Sequence, residues 1–351
     1  MYLLYHLEDF SYINRYRWDN HEELGGRTMK VLIIGGTGPT GVFMVEELLS
    51  NGHDVTIYHT GAHEVEFSAP VAHIHGDPRS IECLKKDMEG KRFDAAINTA
   101  GRIKLVVEVL KGQVERLISI GGMGVYRGLI AGPPSGTALP IPIPEDAPLH
   151  TDPTVNKFYH NVYLGERTVM EGHENGYFRA TVLRYPAIYG PRAVPPVEWY
   201  WVKRILDGRK QLILPGGGMT LVQRGYAQNL AHAVILSLEN DRASGQIYNA
   251  GDERSLTIKA IIDIIADALG HQWEQINVPI DSAPQANPYG IFSHSLLDLS
   301  KIKSELGYRD IVGVGEATRK TALWLKDNPP PDQELAQAFD YADEDRIIQS
   351  Q

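Results

Sequence analysis

Residues 31–41 read VLIIGGTGPTG, so four apolar residues run directly into a cluster of glycines. The apolar run has the pattern of a short buried strand. The glycines fit G-x-G-x-x-G starting at Gly36 and G-x-x-G-x-x-G starting at Gly35, and both patterns include Gly38 and Gly41. Glycine at these places permits a tight turn, close approach of the backbone to a pyrophosphate and close packing of the next helix. The stretch predicts a phosphate-binding turn.

The residues after the glycines predict a helix and then a second strand. Pro39 suits the first turn of a helix, where its missing N–H costs nothing. The apolar residues that follow fall on one helical face: Val42, Val45, Leu48 and Leu49. Asn51 and Gly52 end the helix, and 55–58 form the second strand. Because strand, glycines, helix and strand occur in this order, we favour a dinucleotide site over an ordinary strand-to-helix turn.

Composition excludes several classes of protein. The chain has 351 residues, 43% of them hydrophobic, which is ordinary for a soluble globular protein with one large or two moderate domains. Cys83 is the single cysteine, so a disulfide framework and a cysteine-built metal site are impossible, and we predict no metal site. A net charge of −10 argues against nucleic-acid binding. No apolar run predicts a membrane span, so we expect a cytoplasmic protein.

Strand-like and helix-like segments alternate after the glycines. We predict further strands at 71–75, 93–99 and 114–120, and the helices between them at 80–89 and 102–112. Such alternation predicts an α/β, Rossmann-type fold with a doubly wound parallel sheet. A loop rich in Pro and Gly, 128–156, is of the kind that covers a site. Later helices are predicted at 155–174, at 197–207, at 227–239 and from a Ser255 cap to Gly270.

Nine motifs follow one another along the chain: GGTGPTG (35–41), GDPRS (76–80), INTAG (97–101), ISIGGMGVY (118–126), YLGERTVME (163–171), RYPAIYGP (184–191), RGYAQNLAHAV (224–234), YNAGDE (248–253) and DLSKIKSELGY (298–308). In this order they resemble the extended short-chain dehydrogenase/reductase superfamily, in its NAD-dependent epimerase/dehydratase group. The GGTG start and the ERT sequence are most similar to its atypical members. Those members are described as epimerase-like, isoflavone-reductase-like or related to plastid RNA-binding proteins.

The resemblance implies a division of the chain into four parts. Residues 1–28 are an N-terminal arm or an upstream start. Residues 29–190 form the NAD(P)-binding Rossmann domain. Residues 191–328 are mainly a smaller C-terminal α/β substrate-binding region, partly interleaved with the first domain. Residues 329–351 are an acidic tail, which we expect to be a surface extension.

The family pattern assigns the cofactor contacts residue by residue. The glycine loop would line the pyrophosphate, Asp77 would lie beside the adenine unless it only caps a turn, and further contacts follow each strand. The full set of predicted contacts is Gly35, Gly38, Pro39, Thr40, Gly41, His59, Thr60, Asp77, Asn98, Thr99, Ala100, Tyr163, Arg167, Tyr185 and Pro186.

The residues after the second strand bear on the choice between NAD and NADP. An acidic residue normally grips the ribose 2′-OH of NAD here, but 57–61 read Ile-Tyr-His-Thr-Gly. The segment also lacks the arginine that would hold a 2′-phosphate. His59 and Thr60 could donate to a phosphate, so NAD and NADP both remain open, with a slight preference for NADP.

Family chemistry uses a tyrosine as acid/base and a lysine four residues later, which lie on one helix face. The positive charge lowers the phenol pKa so that the tyrosine can work near neutral pH. Tyr163 fits the tyrosine position, Glu171 occurs where the motif often has Glu, and Arg167 occupies the lysine position. Arginine keeps the charge, but its planar fork is longer and differently directed.

The family serine is also replaced. Counting back from Val125-Tyr126 places Gly122 at that position, and we interpret Ser119 as a strand-end hydroxyl. Gly121, Gly122 and Gly124 would leave open space in which water or substrate could lie. His160, one turn before Tyr163, is a substitute acid/base candidate, although a lone histidine on a helix is more often a surface or packing residue.

Three functions remain open. The first is an NAD(P)-dependent oxidoreductase, epimerase or dehydratase that acts on a small polar or phenolic metabolite with Tyr163 as acid/base. A homodimer is compatible with this function. The second is a catalytically silent NAD(P)-binding protein, regulatory or RNA-associated. The third is an enzyme with relocated catalytic groups at 121–124. Residues 190–225 and 279–294 are expected to line the substrate pocket through Trp199, Tyr200, Trp201, Tyr289 and His294, although these side chains could equally form core.

Overall fold

The computed structural model describes residues 28–99, 102–127, 129, 140–290, 293–331 and 341–350. Its strands are β1 (Lys30–Ile34), β2 (Asp54–His59), β3 (Ala72–His75), β4 (Phe93–Asn98), β5 (Val114–Gly122), β6 (Arg179–Tyr185), β7 (Ala187–Tyr189), β8 (Gln211–Pro215), β9 (Leu221–Val222), β10 (Arg224–Tyr226), β11 (Gln246–Asn249), β12 (Leu256–Thr257) and β13 (Glu274–Val278). Its α-helices are α1 (Pro39–Ser50), α2 (Ile81–Met88), α3 (Ile103–Leu110), α4 (Lys157–Glu174), α5 (Trp199–Leu206), α6 (Ala227–Glu239), α7 (Ile258–Ala268), α8 (Ser300–Leu306), α9 (Val314–Asp327) and α10 (Ala342–Gln349).

A parallel sheet forms the centre of the described chain. Its order is β11-β6-β5-β4-β1-β2-β3, and each neighbouring pair runs parallel. β1 is an interior strand between β4 and β2, and its residues Val31–Ile34 are apolar on both faces, as a strand between two helix layers requires. The predicted doubly wound parallel sheet is confirmed.

Helices cover both faces of this sheet. One core places α1 and α6 against the sheet through residues such as Val45 and Val234. The other places α3 and α4 against it through residues such as Val106 and Val169. α6, which follows β10, packs on α1. The chain therefore returns after β10 to the helix layer that contains α1, and then adds β11 as an edge strand of the sheet.

The helix boundaries lie within a few residues of their predicted positions, apart from one cap. The start of α7 is capped by Thr257, whose hydroxyl accepts a hydrogen bond from Ala260 N at 3.1 Å. Ser255, the predicted cap, instead donates to Gln223 Oε1 at 3.1 Å, because two residues of β12 separate it from the helix. None of the described helices is both long enough and apolar enough to pass through a bilayer.

A second core forms beyond the main sheet. α5, α7 and α9 pack together beside the parallel pair β8–β13. Trp199, Tyr200 and Trp201 are buried in this core, so they do not line a pocket as expected. Tyr289 packs against the same core and donates to Glu198 Oε1 at 2.8 Å. Three consecutive residues span about 200° around a helix. The rings are therefore buried because α5 is covered on several sides, by α7, by α9 and by Glu344 of α10, and the core alternative describes them.

The acidic tail ends in a docked helix and is not merely a surface extension. Glu344 of α10 is buried and is paired with Arg204. Tyr200 donates to the same carboxylate at 3.1 Å, and Tyr341 donates to Asp207 at 2.6 Å. The buried Arg204 of α5 therefore accounts for one acidic residue of the tail, Glu344.

Candidate active site

The glycine loop has the geometry that its sequence predicts. Gly35 and Gly36 have φ of +112° and +94°, a region that side chains disfavour. A Cβ on Gly41 would lie 2.7 Å from the backbone of Gly36, so α1 can approach β1 only with glycine there. A Cβ on Gly38 would meet no atom within 4 Å. The loop is therefore tightly packed on the protein side and open on the outer side at Gly38.

The amino end of α1 faces this open side. Gly38 is the N-cap and has no side chain, and Pro39 is the first residue of the helix. The N–H groups of a helix's first turn have no partner within the helix and carry partial positive charge. Because no side chain caps them, they remain available to a phosphate.

The end of β4 lies beside the glycine loop. Thr99 is fastened to the end of β1, since its N–H and its hydroxyl both donate to Ile34 O at 3.0 Å. Asn98 is buried, and its Oδ1 has no hydrogen-bond partner within the described residues. A buried amide oxygen without a partner is costly, and a ligand hydroxyl or amide could satisfy it. Ala100 lies outside the described residues. Open Gly38 and unpartnered Asn98 together fit a dinucleotide along this edge.

His59 at the end of β2 and Thr60 after it make contacts within the protein, and their predicted contact with a cofactor stays a prediction. His59 is buried with only 5% of its surface exposed, and its Nε2 lies 3.1 Å from His73 Nδ1. Burial lowers the pKa of His59, which disfavours the charged form that would hold a 2′-phosphate. Thr60 is exposed, and its hydroxyl accepts a hydrogen bond from Ala62 N at 3.4 Å.

Asp77 caps a turn. Its Oδ1 accepts from Arg79 N at 2.9 Å and from Arg79 Nε at 3.2 Å, and these bonds lower the pKa of the carboxyl. The turn-capping alternative therefore describes its contacts in this structure. Its predicted place beside an adenine stays a prediction.

Tyr163 and Arg167 come together on α4. The Arg167 guanidinium lies beside the Tyr163 side chain and donates to Glu171 Oε1 at 2.7 Å. The bond to Glu171 and the neighbouring Tyr163 side chain raise the pKa of Arg167, which stays charged. Tyr163 is half-buried, whereas Arg167 is exposed. The spacing of four residues thus places a phenol, a cation and a carboxylate in one row along the helix.

Of the three glycines at and just after the end of β5, only Gly122 borders open space. A Cβ on Gly122 would find no atom nearer than Tyr185 O at 3.8 Å. A Cβ on Gly121 would overlap Glu166 Oε1, and a Cβ on Gly124 would overlap the Tyr159 ring. The expected space at Gly121 and Gly124 is thus filled by side chains of α4. Ser119 is buried inside β5, three residues before its end.

The remaining predicted residues surround this loop. His160 lies with its ring centre 6.0 Å from that of Tyr163, and its buried Nδ1 has no partner among the described residues. Tyr185 is opposite Gly122 in the β5–β6 pair, but its hydroxyl donates to Leu230 O at 3.1 Å. Its ring thus belongs to the core, and its backbone faces Gly122. Pro186 is buried beside Gly251.

A buried polar network beneath the loop was missed from the sequence. Arg184 donates through Nε and Nη2 to Glu166 Oε2, both at 3.0 Å, and through Nη1 to Tyr126 OH at 3.0 Å. Tyr126 in turn donates to Asn249 Oδ1 at 2.6 Å. Burial raises the pKa of the Glu166 carboxyl, and Arg184 partly offsets the shift. Glu166 lies in the ERT motif and Arg184 lies in the RYP motif, but neither motif indicates that the two side chains form an ion pair.

An open cavity of about 750 Å³ lies at the amino ends of the strands, opposite the end of the sheet that carries the glycine loop. Its lining residues stand where strands begin, among them Lys30, Asp54, Phe93 and Val114. In parallel sheets of this type, ligands bind at the carboxyl ends of the strands. This cavity is therefore at the wrong end of the strands to belong to the site.

Comparisons with known proteins agree with this geometry. The family model described as "NAD dependent epimerase/dehydratase family" matches residues 31–115 and 97–251. A chloroplast stem-loop binding protein of 41 kDa b from Arabidopsis thaliana is 28% identical, over 70% of this chain and 65% of that protein. A putative UDP-glucose 4-epimerase from Methanocaldococcus jannaschii is 22% identical, over 85% of this chain and 99% of that protein.

The fold is shared with solved structures. The UDP-glucose 4-epimerase of Thermotoga maritima, crystallised with UDP-glucose, superposes with a TM-score of 0.69 at 20% identity, over 86% of this chain and all of that one. The strands of the main sheet, the glycine loop and α4, which carries Tyr163, all lie within the part of the chain that the family model matches. The chain belongs to the NAD-dependent epimerase/dehydratase family.

Proposed function

We propose that this chain holds NAD(P) along the carboxyl edge of its sheet and acts as an epimerase, dehydratase or reductase on a small polar metabolite. Tyr163 serves as the acid/base, and Arg167 supplies the positive charge beside it. The observation that carries the proposal is the placement of Tyr163 and Arg167 four residues apart on one face of α4, which packs against the end of β5 where Gly122 is open.

Each residue of the proposed site has its own part in the reaction. A bound NAD(P) would supply hydride transfer at its nicotinamide. The Tyr163 hydroxyl exchanges the proton of the substrate oxygen, and the Arg167 guanidinium places a positive charge beside it. Glu171 neutralises part of that charge, because it accepts a hydrogen bond from the same guanidinium at 2.7 Å. Gly122, where the family serine would stand, leaves room for a substrate group or water.

The relatives support a polar substrate. The Methanocaldococcus protein is named as a UDP-glucose epimerase, and the Thermotoga structure contains UDP-glucose. These names support a sugar-like metabolite over a phenolic one. The Arabidopsis relative is named for stem-loop binding, but a net charge of −10 on this chain opposes binding to a polyanion.

Replacing Gly38 should separate cofactor binding from folding. Because its Cβ would enter open space, we expect Gly38→Val to fold with an unchanged melting temperature. The branched side chain would stand where a pyrophosphate must approach, so NAD(P)(H) affinity in calorimetry should fall at least about tenfold, about 1.4 kcal/mol. Gly41→Ala is the contrasting variant, since its Cβ would meet Gly36 backbone and should lower the melting temperature. Unchanged affinity in Gly38→Val would place the cofactor elsewhere.

Cofactor content tests the function itself. We expect the purified protein to bind both NADH and NADPH, with dissociation constants within about a hundredfold, or 2.7 kcal/mol, because 57–61 contain neither the excluding acid nor the selecting arginine. Tightly held NAD⁺ that does not exchange would support an epimerase or dehydratase cycle. An empty site that prefers NADPH would support a reductase. Binding of neither dinucleotide would contradict the proposal.

A further inference from the structure

Three histidines and a glutamate gather at the outer edge of the main sheet. His59 ends β2, and His73 and His75 lie in β3. In the parallel β2–β3 pair His59 is opposite His75, and His73 is opposite Ile57. Because side chains alternate with period two, all three imidazoles point to the same face. The loop between the strands returns Glu64 to that face.

The possible ligand atoms lie close together. His59 Nε2 is 3.1 Å from His73 Nδ1, which is 3.4 Å from Glu64 Oε2. His75 Nε2 is 3.1 Å from Glu64 Oε1. One nitrogen or oxygen from each of the four residues can be chosen so that all four atoms lie within 4.8 Å of one another. Such separations bring four donor groups to one point.

Separations of 3.1–3.4 Å are close to those of a tetrahedral zinc site, and the pairs that lie up to 4.8 Å apart would have to move closer around an ion. Zinc binds imidazole nitrogen and carboxylate oxygen at about 2.0–2.1 Å, so neighbouring ligands in a tetrahedron are about 3.4 Å apart. We propose that His59, Glu64, His73 and His75 bind one divalent zinc ion. Three imidazoles with one carboxylate suit zinc better than magnesium or calcium, which prefer oxygen ligands.

A network of hydrogen bonds is the competing explanation. His59 could donate to His73, and Gly61 N–H approaches His59 Nδ1 at 3.3 Å, near the limit of a hydrogen bond. That network cannot satisfy all of its contacts at once. If His59 Nε2 donates to His73 Nδ1, this nitrogen carries no proton to donate to Glu64 Oε2 at 3.4 Å. Zinc at Nε2 of His59 would leave its Nδ1 protonated, so the weak Gly61 contact would open.

The site is reachable from solvent and adjoins the glycine loop. The side chains of His75 and Glu64 are 57% and 55% exposed, whereas His59 is buried beneath them. Gly35 N–H donates to Tyr58 O at 2.9 Å, one residue before His59. Zinc would tie the loop between β2 and β3 to the sheet beside the predicted cofactor edge.

Zinc titration of the full, untagged chain tests this proposal. After treatment with chelator, we expect calorimetry with zinc chloride to show one strong site per chain, and added zinc to raise the melting temperature. Cobalt should give the intense visible absorption of a tetrahedral ion. The exposed ligands are the variants to use, since His75→Ala and Glu64→Gln should fold. Loss of a direct ligand should weaken zinc binding by about a hundredfold or more.

His63→Ala is the matched control, because His63 is exposed in the same loop and lies outside the cluster. It should leave zinc binding unchanged. Zinc binding that is equally strong in His75→Ala and the parent, or the absence of a strong site in a folded parent, would overturn the proposal. Both results are independent of NAD(P) binding and turnover.

Discussion

Tyr163→Phe should lower turnover by about 10²–10⁴-fold while leaving cofactor affinity nearly unchanged. The substitution removes one hydroxyl, which is the group that we assign to proton transfer, and leaves the ring beside Arg167 in place. Tyr163 is half-buried at the surface of α4, so loss of the hydroxyl leaves no buried donor without a partner. The measurement is kcat on a substrate that the parent turns over, together with calorimetric affinity for NADH and NADPH.

Tyr159→Phe is the control for this result. Tyr159 lies one turn earlier on the same helix, and its ring, not its hydroxyl, fills the space at Gly124. We expect near-parental turnover from that variant. Arg167→Lys should be tolerated or improve turnover, because it restores the residue usual in the family. A parent that turns over normally and is indifferent to Tyr163→Phe would contradict the tyrosine mechanism. His160 and the 121–124 loop would then be the groups to test.

Much of the fold follows from local sequence. Val31–Ile34 are apolar without alternation, so the strand must be buried on both faces, and the glycines after it force the turn into α1. The helix spacing of Tyr163 and Arg167 likewise predicts their contact. In each case the physical cause acts over a few residues.

What the sequence did not reveal depends on distant partners. Gly121 and Gly124 look like open space until Glu166 and Tyr159 of α4 are placed against them. The acidic tail looks solvated until Arg204 of α5 meets Glu344. The His73-x-His75 pattern does carry a signal, since period two on a strand puts both rings on one face. Its meaning required the register with His59.

Arg184→Met should destabilise the protein by about 3–5 kcal/mol, because it leaves a buried carboxylate without its cation. The side chains of Arg184 and Glu166 are 2% and 5% exposed, and two hydrogen bonds of 3.0 Å join them. Methionine fills the space of the arginine stem but not that of the guanidinium, so a small cavity adds to the effect of the lost pairing. Arg179→Met is the matched control on the same strand. Its ion pair with Asp241 is exposed and should be worth at most about 1 kcal/mol.

The loss in Arg184→Met should grow as pH rises. Burial already raises the pKa of Glu166 in the parent, and removal of Arg184 raises it further. A carboxyl whose folded pKa lies above its unfolded value of about 4.3 binds more protons when folded, so stability falls as pH increases above that value. Urea unfolding at pH 5 and pH 8 should therefore show the larger deficit at pH 8. Adding Glu166→Gln should remove most of this pH dependence and restore part of the stability, because no charge is then left buried. A deficit that is equal at both pH values would show that Glu166 does not carry the charge, and that Arg184 acts mainly through its bonds to Tyr126 and to Glu145 O.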